Sequence, residues 1–197
     1  MTSMTIDREI TDWVVERRTG FGDAVVPVIS HLGSTLVLTA VAVAVTVFVL
    51  LRGRRADAVM MGAGALTGLG LMIGLKHFFG RQRPPDVTKL VAIDSFSFPS
   101  GHSMMSAVVY GLAAFALVPA SAWLRAHRGA LWLVPVLVAV IGATRVYLGV
   151  HWATDVIAGW MLGALWVLVC VLAARFWSAR HDRAGTGLAP PGQSSPS

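Results

Sequence analysis

Three short groups of residues in this chain combine types suited to handling a phosphoryl group. Lys76 is followed, after six intervening residues, by Arg83-Pro84, Pro99-Ser100-Gly101-His102 forms a second group, and Arg145, His151 and Asp155 form a third. Guanidinium groups match phosphate oxygens in a bidentate way, and an ammonium adds a point charge. A lone arginine at the end of a membrane helix only snorkels to lipid headgroups. Lys76, Arg83 and Arg145 beside His102 and His151 read instead as an oxyanion site. Pro84 and Pro85 stiffen the loop that presents Arg83.

Ser100 stands where it can N-cap a helix, so that Gly101 and His102 open that helix with free backbone N–H groups, an end that attracts anions. Gly101 lets a ligand approach the backbone closely. His151 and Asp155 are four positions apart, which puts them on one face of a helix. There the aspartate accepts the Nδ1 proton and leaves the Nε2 lone pair free. That is the nucleophile-and-orienter arrangement of covalent catalysis, although an isolated His-Asp pair is more often structural. A covalent phosphoryl transfer also needs a proton donor for the leaving oxygen, a role open to His102. Such a division of labour requires no metal or cofactor, and no acidic cluster in the sequence is suited to hold a metal.

These groups must be carried by membrane helices. Of the 197 residues, 55% are hydrophobic and 13% charged, against about 25% charged in a soluble domain. Apolar runs predict an all-α, polytopic bundle of about five spans, near 32–51, 56–75, 102–120, 131–148 and 152–174. The second is rich in glycine, which predicts a closely packed central helix. Residues 1–30 form an amphipathic, interfacial segment. Within it, Ile10, Trp13, Val14 and Arg17 share helical spacing, and Pro27 marks a re-entrant or interfacial lead-in. Asp7, Arg8, Glu9, Asp12, Glu16, Arg17 and Arg18 interrupt any apolar signal core. Residues 31–176 form the membrane-embedded unit, and 177–197, rich in Gly, Pro and Ser toward the end, a disordered cytoplasmic tail.

Charge sets the expected orientation. Arg52, Arg54 and Arg55, then Arg125 and Arg128, then Arg175, Arg180 and Arg183 fall on one side by alternation, which predicts the cytoplasm. The loops 76–101 and 146–151 then face outward. In the first of these, Lys89 and Arg81 read as solvated loop charge. The net charge of +6 therefore belongs to topology; with no basic patch interleaved with aromatics, nucleic acid is excluded as a partner. His31, His77, His127 and His181 read as interfacial or structural, and most tryptophans as belt or packing residues. Cys170, alone in an apolar run, has no disulfide partner. Nothing in the sequence sets an oligomeric state.

Taken in order, the groups resemble the pattern of the type 2 phosphatidic acid phosphatase (PAP2) family, the membrane branch of the superfamily that includes vanadium haloperoxidases. The resemblance covers roughly residues 60 to 170. It implies an all-helical bundle with its site at the outer face and no metal. It implies that His151 forms a phosphohistidine, that Asp155 orients it, and that His102 protonates the leaving group. Lys76, Arg83, Ser100, Gly101 and Arg145 would hold the phosphoryl oxygens. Two features depart from the pattern: Thr144 stands for the family serine, and membrane members commonly have six spans where five are counted here. The expected protein is a multi-pass plasma-membrane lipid phosphatase, its site outside and its C-terminus in the cytoplasm. An isoprenoid (undecaprenyl-type) pyrophosphate is the first expected substrate, with phosphatidate or phosphatidylglycerophosphate as the alternative. A vanadate-dependent oxidoreductase and a non-catalytic lipid-phosphate binder are remoter readings.

Overall fold

The computed structural model describes residues 3–186. Its elements are helical, in the order α1 (Ser3–Glu16), α2 (Gly20–Ser30), α3 (Thr35–Leu51), α4 (Arg55–Phe79), α5 (Gly101–Ala120), α6 (Ala122–Ala126), α7 (Leu133–Tyr147) and α8 (Ala153–Thr186). Short 3-10 turns at His31–Gly33, Asp86–Thr88 and Arg128–Trp132 connect them.

Four stretches among the described residues are long and apolar enough to cross a membrane: Arg55–Phe79, Gly101–Ala120, Arg128–Tyr147 and Ala153–Arg180. The helices α2 and α3, which meet at a 40° bend, give a fifth candidate if the bent pair is counted as one span. At a rise of about 1.5 Å per residue, the 17 residues of α3 fall short of a hydrocarbon core about 30 Å thick. The first span expected at 32–51 thus corresponds to α3, with α2, the segment read as a lead-in, joined to it across the bend. Ser34 caps α3, its hydroxyl accepting from the Val37 N–H, so the chain re-enters helix at once after the break.

The central helix is α5 rather than the glycine-rich α4. Of the apolar window of α5, 56% is buried, against 33% for α4. A glycine of α8 explains the close α5–α8 crossing: a Cβ on Gly163 would lie 2.6 Å from the Met104 carbonyl oxygen and 2.7 Å from Ala107 Cβ. In α4, by contrast, Gly70 and Gly74 face open space. The buried core runs from Met61 and Val49 through Val108, Val109 and Leu112 to Val167 and Val171.

One expectation at the C-terminal end is corrected. The α8 helix continues to Thr186, so 177–186 is helical rather than disordered; residues 187–197 lie outside those described. In α1 the inward face is Asp7, Thr11 and Val14, continued by Arg18 just beyond the helix, while Ile10 (37% exposed) and Trp13 (57%) point away from the bundle. Asp7 and Arg18 turn inward because their hydrogen-bond partners lie on the bundle, and the Thr11 hydroxyl donates to the Asp7 carbonyl within the helix.

Candidate active site

The C-terminal ends of α4 and α7 and the N-terminal ends of α5 and α8 meet at one end of the bundle, and each carries part of the site. Lys76 lies in the last turn of α4, which closes at Gly80 in a left-handed conformation (φ 55°). Its Nζ donates to the Phe96 carbonyl at 2.6 Å. Arg83 lies beyond the helix end. It donates from Nε to the Ser95 carbonyl (2.6 Å), from Nη1 to the Val150 carbonyl (2.5 Å), and from Nη2 to Ser95 Oγ (3.0 Å) and the Phe96 carbonyl (3.3 Å). The Phe96 carbonyl thus draws the two cations together.

The spacing of Arg145 and His151 is set by the way α7 ends. Gly149 adopts φ 70°; its N–H donates to the Val146 carbonyl and the Val150 N–H to the Arg145 carbonyl. This is a Schellman closure, with glycine where a left-handed residue is required. Arg145 is buried and donates from Nη1 to Ser30 Oγ at 2.7 Å. Its Nε is buried with no hydrogen-bond partner among the described residues. Thr144 donates its hydroxyl to the Ile141 carbonyl at 2.6 Å, within its own helix.

His151 lies in the turn before α8, and not on the helix as the spacing alone suggested. Asp155 is in the first turn and reaches back: its Oδ2 accepts from the Trp152 N–H at 3.0 Å, as an acidic residue does in a capping box. That reach brings Oδ2 to 3.5 Å from His151 Nδ1. Ser97 joins the pair, 3.4 Å from His151 Nδ1 and donating to Asp155 Oδ2. On the other side of the ring, Arg83 Nη1 is 3.1 Å from Nε2. A guanidinium only donates, so this contact requires the lone pair on Nε2 and the proton on Nδ1.

His151 is 2% exposed. Burial, together with the Arg83, Arg145 and Lys76 cations, outweighs the hydrogen bond that His151 donates to Asp155 and holds its imidazole down at about 3. The ring is therefore neutral at physiological pH. Burial also lowers Arg83 from its usual value, opposed by the charge of Asp155; a desolvated cation of this kind favours an anionic ligand.

Ser100 caps α5, its hydroxyl accepting from the Ser103 N–H. Its own N–H is committed to the Asp155 carbonyl at 3.0 Å, and the residue is fully buried. It joins the starts of α5 and α8, which leaves Gly101 and His102 as the first-turn N–H groups of α5. His102 packs against the break between α2 and α3: a Cβ on Gly33 would sit 3.0 Å from His102 Cδ2. A cavity of about 340 Å³ runs between α3, α4 and α5, with Gly101 and His102 at one end and Thr46, Val47 and Gly62 farther along.

Arg81 is not solvated loop charge. Its Nη1 donates to Asp155 Oδ1 (2.6 Å) and its Nη2 to Asp7 Oδ2 (2.7 Å). Asp7, Ser30, Arg81 and Ser97 are site neighbours that sequence spacing does not reveal. For Ser97 a signal exists in retrospect: a serine between two phenylalanines, three residues before Ser100. Among the described residues, no group of three or more His, Cys, Asp or Glu side chains is arranged to hold a metal ion.

Residues 57–178 match the profile of the PAP2 superfamily. The chain is 37% identical over 154 residues to phosphatidylglycerophosphatase B of Bacillus subtilis, covering 78% of this chain and 71% of that protein. It is also 38% identical over 73 residues to an undecaprenyl-diphosphatase of Sulfolobus acidocaldarius, covering 36% of this chain and 30% of that one. Among solved structures, a transmembrane PAP2-type phosphatidylglycerolphosphate phosphatase from Bacillus subtilis superposes with a TM-score of 0.80 at 34% identity, over 85% of this chain and 83% of the other.

Proposed function

Because the chain belongs to the PAP2 superfamily, we propose that it is an integral-membrane phosphatase that cleaves a lipid phosphate through a phosphohistidine on His151. The observation that carries this reading is the pairing at His151: an arginine donor 3.1 Å from Nε2, and a carboxylate 3.5 Å from Nδ1. Nε2 is thereby left as the attacking atom, beside a cation suited to a phosphoryl oxygen.

In the first step Nε2 attacks phosphorus, and the bond to the leaving oxygen breaks as His102, protonated while the anionic phosphate lies beside it, supplies its proton. Lys76, Arg83 and Arg145, with the first-turn N–H groups at Gly101, balance charge on the equatorial oxygens. The unpartnered Arg145 Nε is a donor free for this task. In the second step the now neutral His102 takes a proton from water, which attacks the phosphohistidine. Phosphate departs, and His151 and His102 return to their starting protonation. Asp155 holds the Nδ1 proton throughout. No step requires a metal.

The cavity beside His102 supports a lipid substrate, since a chain lying there would leave its phosphate at the acid. The long match to a phosphatidylglycerophosphatase favours the phosphomonoester of a glycerophospholipid. Isoprenoid pyrophosphate, the first expectation from sequence, becomes the second reading, supported by the shorter match to an undecaprenyl-diphosphatase. The arginines at the opposite end of the bundle support a site on the outer face of the plasma membrane and a cytoplasmic C-terminus. A tag after Ser197 should be protected in intact cells; labelling from outside would invert this orientation.

The decisive experiment is phosphate release from phosphatidylglycerophosphate, phosphatidate and undecaprenyl pyrophosphate in detergent with EDTA. Turnover is expected with chelator present and abolished in His151→Ala. Turnover that survives His151→Ala, or that depends on added metal, would sink the mechanism.

A further inference from the structure

Asp7 is fully buried on a helix whose neighbouring positions are exposed, and no step above uses it. Its carboxylate accepts from the Thr154 N–H (3.0 Å), from Thr154 Oγ1 (2.5 Å) and from Arg81 Nη2 (2.7 Å). Arg81 in turn donates to Thr154 Oγ1 (2.7 Å) and to Asp155 Oδ1 (2.6 Å). One guanidinium therefore bridges a carboxylate of α1 and the carboxylate that faces His151. Just beyond α1, Arg18 donates to the Tyr147 carbonyl (2.9 Å) and the Thr88 carbonyl (2.7 Å). The corner 147–155 is thus gripped from α1 on both sides of His151.

Charge explains why two carboxylates are needed. Asp155 uses Oδ2 for His151, Ser97 and Trp152, and Oδ1 for Arg81. Arg81 alone would form a neutral pair with Asp155 and draw its charge away from the imidazole. Asp7 occupies the second arm of the guanidinium and balances it. The group Asp7–Arg81–Asp155 then keeps one net negative charge, and Asp155 continues to hold the Nδ1 proton. The second arm also fixes the plane of the guanidinium, and with it the rotation of the Asp155 carboxylate.

We propose that Asp7, acting through Arg81, is a positioning residue for the His151–Asp155 pair, so that the N-terminal helix belongs to the catalytic apparatus without touching substrate. This rests on His151 being the nucleophile.

The test is a double-mutant cycle on full-length protein in detergent, with phosphate release from the substrate found active above. Asp7→Asn is nearly isosteric, keeps an acceptor for the Thr154 N–H and removes the charge. It should lower kcat about 10- to 100-fold with KM within about twofold, the range expected when a supporting contact misplaces a reacting group. In an Asp155→Asn background the same substitution should cost little more, because no carboxylate remains to be positioned. A kcat within twofold of wild type overturns the proposal. So does a loss that repeats in full on Asp155→Asn, which would mean that Asp7 only docks α1. Should Asp7→Asn fail to yield folded protein, Asp7→Ser carries the same cycle: it also removes the charge while keeping a small acceptor on that face, and the same pair of outcomes decides. His151→Ala, run alongside, separates the two failures. If it stays active, the functional reading falls; if it is inactive while Asp7→Asn is normal, only this inference falls.

Discussion

Replacing Arg83 by lysine keeps the charge and removes the fork, which makes Arg83→Lys the sharpest probe of the site. Arg83 reaches Ser95 from Nε and Val150 from Nη1, with Nη1 also 3.1 Å from His151 Nε2. These acceptors lie on opposite sides of the guanidinium. A lysine ammonium is compact and cannot serve the Ser95 side and the Val150–His151 side together. Two contacts that matter in the transition state should be lost: the donor beside Nε2 that selects the reactive tautomer, and a bidentate grip on the phosphoryl oxygens. At about 1.5–3 kcal/mol for each hydrogen bond to a charged group, the barrier rises by about 3–6 kcal/mol. That corresponds to a fall in kcat of about 150- to 25,000-fold, at about 1.36 kcal/mol per decade. KM should change far less, because the substituted ammonium would still attract the anion in the ground state. The measurement is steady-state phosphate release at saturating lipid phosphate, paired with quench trapping of any phosphoenzyme and size-exclusion chromatography to verify folding. A well-folded variant with kcat within threefold of wild type would refute the reasoning. So would an effect confined to KM, which would make Arg83 a recruiter of substrate and nothing more.

Two further outcomes follow from the geometry. The His151 imidazole, held at about 3, should stay neutral from pH 8 down to pH 5; the sign follows because a depressed value extends the neutral form toward acid. Nitrogen-15 NMR of histidine-labelled protein should show its Nε2 resonance unprotonated across that range, and a titration near 6.5 would contradict the assigned environment. In Gly33→Ala the new Cβ would lie 2.5 Å from Ile141 Cγ2 and 3.0 Å from His102 Cδ2. Displacing the acid by a fraction of an ångström to one ångström should lower kcat by roughly 10- to 100-fold. Full activity in that variant would remove His102 from the position of proton donor.

Much of the site is legible before folding because each group of residues is tied to a local closure. The Arg145–His151 spacing is that of a Schellman turn at Gly149, and the His151–Asp155 spacing is that of an acidic residue reaching back over a helix start. Ser100 as an N-cap is likewise a local event. The error in these groups is also local: placing His151 on the helix assumes that regular structure begins one turn earlier than it does. Arg81 escapes a sequence reading for a different reason. Its partners Asp7 and Asp155 lie 74 residues away on either side, and nothing in the neighbourhood of position 81 distinguishes it from a solvated charge.

By itself, the sequence determined that this is a membrane-spanning helical protein and which cations and histidines stand at the helix ends. Hydropathy and helix-end chemistry act over a few residues and can be read along a line. Only the tertiary structure decided which helix is central, how α2 and α3 meet at the break beside His102, and which face of α1 turns inward. These depend on contacts between segments far apart in the chain. At α1 they also reverse the soluble rule: Asp7 and, just beyond the helix, Arg18 turn toward the bundle, where their hydrogen-bond partners are, and Ile10 and Trp13 are left to the surroundings.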